Sequence, residues 1–119
     1  MQKANLEQLV SFVTADRHAI RELAGPAWTP ARHQSLAEAT LPRGGETAEH
    51  YHPQSEELYY FVAGHGRLRL ADDETEVGVG DCVVIPPGAP HNLWNTGPGR
   101  PVLRCFCARA SSDHHPVIP

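Results

Sequence analysis

Three histidines and one glutamate in this chain have the residue types and the spacing of a metal site. His50, His52 and Glu57 lie close together in one segment, and His91 lies in a later one. Neutral imidazole and carboxylate together suit one divalent transition metal, such as Fe, Mn, Ni, Cu or Zn. A lone histidine on a strand is usually a surface residue. Four ligand-type residues that a hairpin scaffold can fold onto one point predict a metal centre.

Strand geometry decides which of these side chains can face the same point. Successive strand residues face opposite sides, so His50 and His52 share a face. Glu57 differs from them by an odd number of residues and joins them only if an irregular segment, such as residues 53–55, resets the alternation. Glu56 is the rival carboxylate, because simple counting gives it the parity of the histidines.

The strands that must carry these residues are bounded by glycine, proline and acidic turns. After Glu57 the alternation places Tyr59 and Phe61 on the ligand side. Glycines 64 and 66 are expected to flank one turn, and residues 71–74 to form an acidic turn. Residues 86–88 end a strand because proline cannot donate to a ladder. Further strands are expected at residues 20–23 (an edge strand), 32–41, 67–70, Cys82–Ile85 and 102–108, with another opening at His91.

The two ligand-bearing segments contain glycines and ligand-type residues at fixed spacings. The first, from Gly44 to Gly64, reads Gly, five residues, His-x-His, four residues, Glu, six residues, Gly. The second, from Gly80 to Asn95, reads Gly, five residues, Pro-x-Gly, two residues, His, three residues, Asn. In these ten fixed positions the chain resembles the cupin family. The resemblance covers about residues 31 to 110.

This resemblance implies an all-β fold, a double-stranded β-helix or jelly-roll barrel, with one metal ion bound by His50, His52, Glu57 and His91. It favours Glu57 over Glu56, because six residues then precede the closing glycine. It also implies a homodimer, with the N-terminal segment at or near the interface. Cupins include oxygenases, isomerases, lyases and non-enzymatic binders, so the fold leaves the reaction open.

Composition and charge exclude several partners. The 119 residues suffice for one domain, and ten glycines with eleven prolines suit many short strands. A net charge of −4 with no basic run argues against nucleic acid. No apolar stretch approaches the roughly 20 residues that span a membrane. The N-terminus lacks the apolar core of a signal peptide, so we expect a cytoplasmic protein.

The flanks of the motif region divide the chain into an N-terminal extension (1–30), the barrel (31–110) and a C-terminal tail (111–119). Apolar residues at helical spacing predict a short amphipathic helix over residues 5–14, capped by Asn5 and covering one end of the barrel. Residues 15–18 should form a turn.

The remaining cysteines and histidines have structural interpretations. Cys82, Cys105 and Cys107 give no disulfide framework and are expected to be free, small, buried residues. His33 either reaches the pocket or lies on the surface, and His65 should be exposed. The pair at residues 114–115 is not a plausible site.

Two functions remain open from the sequence. An octahedral ion with these four ligands keeps two neighbouring positions, where a small anionic or polyhydroxy metabolite could chelate through two oxygens. Tyr59, Phe61 and Leu93 would wall this pocket; Tyr59 could donate a proton, and Glu57 could act as a base. A metal-dependent oxygenase, isomerase or lyase fits these features. A non-catalytic binding or sensing module fits as well, since no recognisable base lies outside the ligand set.

Overall fold

The computed structural model describes residues 1–98 and 102–110, and this part of the chain is almost entirely β. The strands are β1 Phe12–Val13, β2 Ala19–Ala24, β3 Gln34–Leu41, β4 Glu57–Ala63, β5 His65–Leu70, β6 Asp73–Gly78, β7 Cys82–Ile85, β8 His91–Asn95 and β9 Leu103–Ala110. A six-stranded sheet has the order β1-β2-β3-β9-β4-β7, and a three-stranded sheet has the order β6-β5-β8. All neighbouring strands are antiparallel, which confirms the all-β jelly-roll barrel.

The hydrophobic core lies between the two sheets and follows the predicted alternation. In β4, Tyr59 and Phe61 are buried while Leu58 and Tyr60 are exposed. Burying such apolar side chains is the main favourable contribution to folding. The core combines residues of both sheets, namely Ala39, Leu41, Tyr59, Phe61, Leu68, Val77, Ile85, Leu93, Leu103 and Cys105.

Two turn predictions need correction. Gly64 alone makes the turn into β5, with φ at 81°, whereas Gly66 lies inside β5 and pairs with Val77 and Asn95. A Cβ at Gly66 would lie 2.5 Å from the carbonyl oxygen of Trp94, so glycine there permits close packing of strands rather than a turn. The acidic turn is also shorter than expected, because β6 already begins at Asp73.

The N-terminal helix is shorter than the sequence predicts. It contracts to a 3-10 helix at Leu6–Gln8, although Asn5 caps it as expected by accepting a hydrogen bond from the Glu7 N–H at 2.9 Å. Residues 12–13 form β1 instead. None of the residues in the short helix is buried. A helix of this length has marginal stability without tertiary packing. None of the helices in the described residues is long and apolar enough to cross a membrane.

The predicted edge strand at residues 20–23 is not at the edge. It forms β2, which pairs with β3 on one side and with β1 on the other. Residues 15–17 form the expected turn between β1 and β2, with the Arg17 N–H donating to the Thr14 carbonyl at 2.9 Å. The edge of this sheet is therefore the two-residue strand β1.

Candidate metal centre

The four ligand-type residues converge from strands β4 and β8 and from the segment between β3 and β4. His50 and His91 form an antiparallel backbone bridge, with N–H···O distances of 3.1 and 2.9 Å. Glu57 opens β4, and the irregular residues 53–56 separate it from His52, as the parity argument requires. One ligand atom from each of the four residues lies within 4.8 Å of the others. This group could hold a metal ion.

The choice between the two glutamates is clear in the structure. Glu57 is 7% exposed and belongs to the cluster, whereas Glu56 is exposed to solvent. The reset of the alternation between His52 and β4 turns the Glu57 side chain toward the barrel interior. Glu56 therefore faces outward despite its matching parity.

Backbone carbonyls orient two of the imidazoles in the same way. The Nδ1 atom of His50 lies 2.9 Å from the Ala48 carbonyl oxygen, and Nδ1 of His91 lies 2.9 Å from the Ala89 carbonyl oxygen. A carbonyl can only accept, so each Nδ1 carries the ring proton. The Nε2 lone pair of each ring is then free for a metal, a common arrangement in metal sites.

Buried polar atoms at the centre of this group suit a metal ion. Glu57 Oε1 and His91 Nε2 are buried without a hydrogen-bond partner among the described residues. Glu57 Oε1 lies 3.3 Å from His52 Nε2 and 3.4 Å from His91 Nε2, close enough for electrostatic contact. Unpaired buried polar atoms are costly, and a cation bound between them would satisfy both.

The protonation of two cluster residues also suits a cation. Burial raises the pKa of Glu57, but the imidazoles of His52 and His91 outweigh it and lower the pKa to about 2. Burial lowers the pKa of His50, against the opposing effect of the Ala48 carbonyl, and His91 lowers it further. Near neutral pH the cluster therefore offers a carboxylate and, at His50, a neutral imidazole.

A cavity of about 690 Å³ opens onto the cluster. Tyr59 and Leu93 line it, as predicted. Burial, with the charge of Glu57, raises the pKa of Tyr59 well above its usual value, so its hydroxyl keeps its proton. Phe61 was expected on the wall but does not line the cavity. It is fully buried in the core behind Tyr59, with the two ring centroids 6.3 Å apart.

Asn95, the last fixed position of the second motif, is not part of the cluster. Its amide donates to the Leu41 carbonyl at 3.1 Å, and its side-chain oxygen accepts from the Gly97 N–H at 3.1 Å. It stabilises the turn after β8.

Sequence reasoning missed three ionisable residues on the cavity wall. Arg109, near the end of β9, places Nη1 2.9 Å from His52 Nδ1. His18 holds its Nδ1 2.7 Å from Asp16 Oδ1, and Asp16 Oδ2 accepts from the Ala48 N–H at 2.6 Å. Alternation along β9 puts Arg109 on the same face as Cys107. A predicted strand that continued past residue 108 would have placed Arg109 on that face. No local pattern in the sequence predicts that Asp16 and His18, at the β1–β2 turn, line the cavity.

The cysteines differ from one another more than predicted. Cys105 is buried and Cys107 is partly buried, with their Sγ atoms 3.7 Å apart on the cavity side of β9. Contact with Cys105, together with burial, raises the pKa of the Cys107 thiol well above its usual range. Cys82 is exposed rather than buried, because the outer face of β7 has no covering layer among the described residues. All three are free.

The other histidines lie away from the cluster. His33 and His65 are exposed, and His33 does not line the cavity. The pair at residues 114–115 lies outside the described residues.

Sequence comparison assigns the chain to a family. Residues 37–106 match the cupin domain, so the chain belongs to the cupin family. It is 40% identical over 95 residues to the uncharacterised protein MJ1618 of Methanocaldococcus jannaschii. That match covers 80% of this chain and 76% of the relative.

Solved structures show the same fold. A cupin 2 domain-containing protein from Halorhodospira halophila is 27% identical with a TM-score of 0.77, covering 86% of this chain and 70% of that one. The polyketide cyclase RemF from Streptomyces resistomycificus is 24% identical with a TM-score of 0.83, covering 99% of this chain and 84% of that one. The second likeness is one of fold alone.

Proposed function

We propose that His50, His52, Glu57 and His91 bind one divalent transition metal, and that this centre serves an enzyme acting on a small anionic or polyhydroxy metabolite. The observation that carries the proposal is a pair of buried atoms beside the cavity, Glu57 Oε1 and His91 Nε2, which lie 3.4 Å apart and have no hydrogen-bond partner among the described residues. A bound metal would supply Lewis-acid and template chemistry at this point.

Residues of this chain would hold and protonate the substrate. The Tyr59 hydroxyl, which keeps its proton, can donate a hydrogen bond into the cavity. His18, held through Nδ1 by Asp16, lines the same cavity with Nε2 unpaired among the described residues. An imidazole oriented by a carboxylate is the usual form of a general base. This pair supports an enzyme over a purely binding module, since it supplies a base outside the ligand set.

The reaction class is oxygenase, isomerase or lyase. Solved neighbours of this fold differ in their named activities: one is a polyketide cyclase, and another, at 18% identity with a TM-score of 0.82, is a predicted oxalate decarboxylase from Thermotoga maritima. Shared fold at this level does not transfer a reaction.

The test is turnover by protein loaded with Fe, Mn, Ni, Cu or Zn in turn. A panel of α-hydroxy acids, α-oxo acids and sugar acids is followed by oxygen uptake and by NMR of the products. We expect turnover with one metal, its loss in His91→Ala, and a strong decrease with retained metal in His18→Gln. Metal-dependent binding without turnover would favour the sensing module. Ligand binding that is equal with and without metal would contradict the proposal.

A further inference from the structure

We propose that Arg109 is an anion anchor beside the metal centre, so that the ligand of this cavity is a small α-hydroxy or α-oxo carboxylate rather than a neutral polyol. The inference rests on the proposed metal site and narrows its ligand class. It follows from the position of the guanidinium, the lack of a carboxylate partner for it in the described part of the chain, and the chemistry of the imidazole that it contacts.

The fold places Arg109 next to the cluster. In the register of β4 and β9, Arg109 is opposite Glu57, and it lines the cavity together with Cys105 and Cys107 of the same strand. Its Nη1 lies 2.9 Å from His52 Nδ1 and 3.5 Å from His52 Nε2. The guanidinium is therefore an immediate neighbour of a candidate metal ligand.

Arg109 differs from the other partly buried arginines of the described residues in its ion pairing. Arg21 and Arg104 both contact Glu38, and Arg67 contacts Glu74. Across residues 1–98 and 102–110, Arg109 has no carboxylate within ion-pair distance. A partly desolvated cation without a counter-ion is costly, and an arginine fork matches a carboxylate with two parallel hydrogen bonds.

The three acidic side chains that line the cavity have other contacts among the described residues. Glu57 lies beside His52 and His91. Asp16 contacts His18 and the Ala48 N–H, and Glu22 accepts from the indole N–H of Trp28 at 2.8 Å. None of the three forms an ion pair with Arg109, which leaves the charge of Arg109 for an anionic ligand.

Metal binding at His52 would release Arg109 from its contact with that ring. A guanidinium can only donate, so the Nδ1 atom of His52 that faces it accepts in this contact. An imidazole that binds a metal through Nε2 carries its proton on Nδ1. Two donors would then face each other, and the donors of Arg109 would become available in the cavity that His50, His52 and Glu57 line.

The experiment compares an anion with a neutral analogue of the same shape. Glycolate and glycolamide are titrated calorimetrically into Co²⁺-loaded wild type, Arg109→Gln and Arg109→Lys, and the visible Co²⁺ spectrum reports ligand entry. Charge-assisted hydrogen bonds to carboxylate contribute enough that Arg109→Gln should weaken glycolate about ten- to hundredfold. Glycolamide should change by less than about threefold. Arg109→Lys should fall between, since lysine keeps the charge but not the fork.

The control is Arg104→Gln, which removes a guanidinium from the opposite face of the same strand and should leave glycolate binding unchanged. Metal content and thermal unfolding are measured for every variant. Equal glycolate affinity in wild type and Arg109→Gln, both with full metal, would overturn the anchor while leaving the metal centre intact. Absence of glycolate binding to metal-loaded wild type would also overturn it. A wild type without stoichiometric metal would overturn the proposed function itself.

Discussion

At the scale of single residues, the orientation of two histidines in the candidate metal centre depends on hydrogen bonds to nearby backbone carbonyls. His50 and His91 each use the carbonyl two residues earlier, at Ala48 and Ala89, to fix the same ring nitrogen. The two residues are also bridged to each other through their backbones. Their geometry is therefore set locally, which explains why spacing in the sequence predicts the cluster well.

Removing one ligand should release the metal. We expect His52→Ala and His91→Ala to lose most of the bound ion, because the remaining donors leave the coordination shell incomplete. Elemental analysis after metal-balanced expression measures this directly. His65→Ala is the control, because His65 is an exposed imidazole at the start of β5 and should keep full occupancy. Full stoichiometric metal in both ligand variants would refute the assignment.

Acid should release the metal through the imidazoles and not through the carboxylate. Protons compete for histidine nitrogens as the pH falls below about 6.5, and metal binding moves this competition lower. The pKa of Glu57, about 2, keeps its carboxylate ionised throughout this range. We expect Zn²⁺ occupancy in equilibrium dialysis to fall between about pH 6 and pH 4. Retention of the ion down to about pH 3 would contradict this mechanism.

The same carboxylate links pH to stability in metal-free protein. Its pKa is lower in the folded chain than the usual value of about 4.3. Ionised Glu57 therefore stabilises the fold above that usual value, and this contribution is lost as the pH falls toward about 2.

Sequence reasoning located the cluster but not its charged surroundings, for a physical reason. Glu57 follows from motif spacing and local parity. Arg109 and Asp16 come from elements distant in the sequence, and only the pairing of β9 with β4 and the tie between Asp16 and Ala48 bring them to the cavity. Long-range register of this kind leaves no trace in local spacing.

At the scale of elements, turn residues gave the most accurate boundaries. The strand Cys82–Ile85 and the start of β8 at His91 agree with prediction. The segment between them contains prolines and Gly88, a glycine with positive φ, and these residues interrupt strands. The N-terminal segment was predicted poorly. Its apolar spacing suits a helix, yet pairing with β2 determines the structure of residues 12–13.

Two glycines with similar positive φ values should differ in their tolerance of a methyl group. Gly64 and Gly80 have φ values of 81° and 91°. A Cβ at Gly64 would overlap the Val102 carbonyl, whereas one at Gly80 meets nothing within 4 Å. Gly80→Ala should cost about 1–2 kcal/mol from backbone strain alone, and Gly64→Ala about 1–3 kcal/mol more from overlap.

Denaturant unfolding of the two alanine variants measures this difference, with each variant acting as the control for the other. Because both replacements add the same atoms at similar φ values, most of the backbone strain cancels, and the difference reports the close approach of the Val102 carbonyl to the turn. Equal free energies of unfolding for the two variants would show that the turn relaxes away from Val102.

At the scale of the whole molecule, an apolar strip remains on the outer face of the six-stranded sheet. Leu36, Leu58 and Val84 are exposed and lie in one register row, joined through Ala108 of β9. Tyr60, 49% exposed, lies in the next row. Exposed contiguous apolar residues of this kind mark interaction surfaces.

A second apolar surface lies at the free edge of the same sheet. Phe12 and Val13 form the edge strand β1 and are 51% and 69% exposed, and Val10 precedes them at 89%. An edge strand presents unpaired backbone groups as well as side chains, so it invites pairing with another chain. Both surfaces are compatible with the expected homodimer that places the N-terminal segment at or near its interface.

We expect light scattering at micromolar concentration to give twice the 13.0 kDa mass of the chain. Leu58→Glu places a charge on the outer face and Phe12→Glu places one at the edge, and burying an unpaired carboxylate in an interface is costly. A dimer through the outer face should dissociate with Leu58→Glu alone, and one through the edge with Phe12→Glu alone. Val79→Glu, in the exposed turn after β6, is the control and should remain dimeric. A monomeric wild type would refute the homodimer, whereas a dimer that survives both substitutions would exclude both surfaces as its interface.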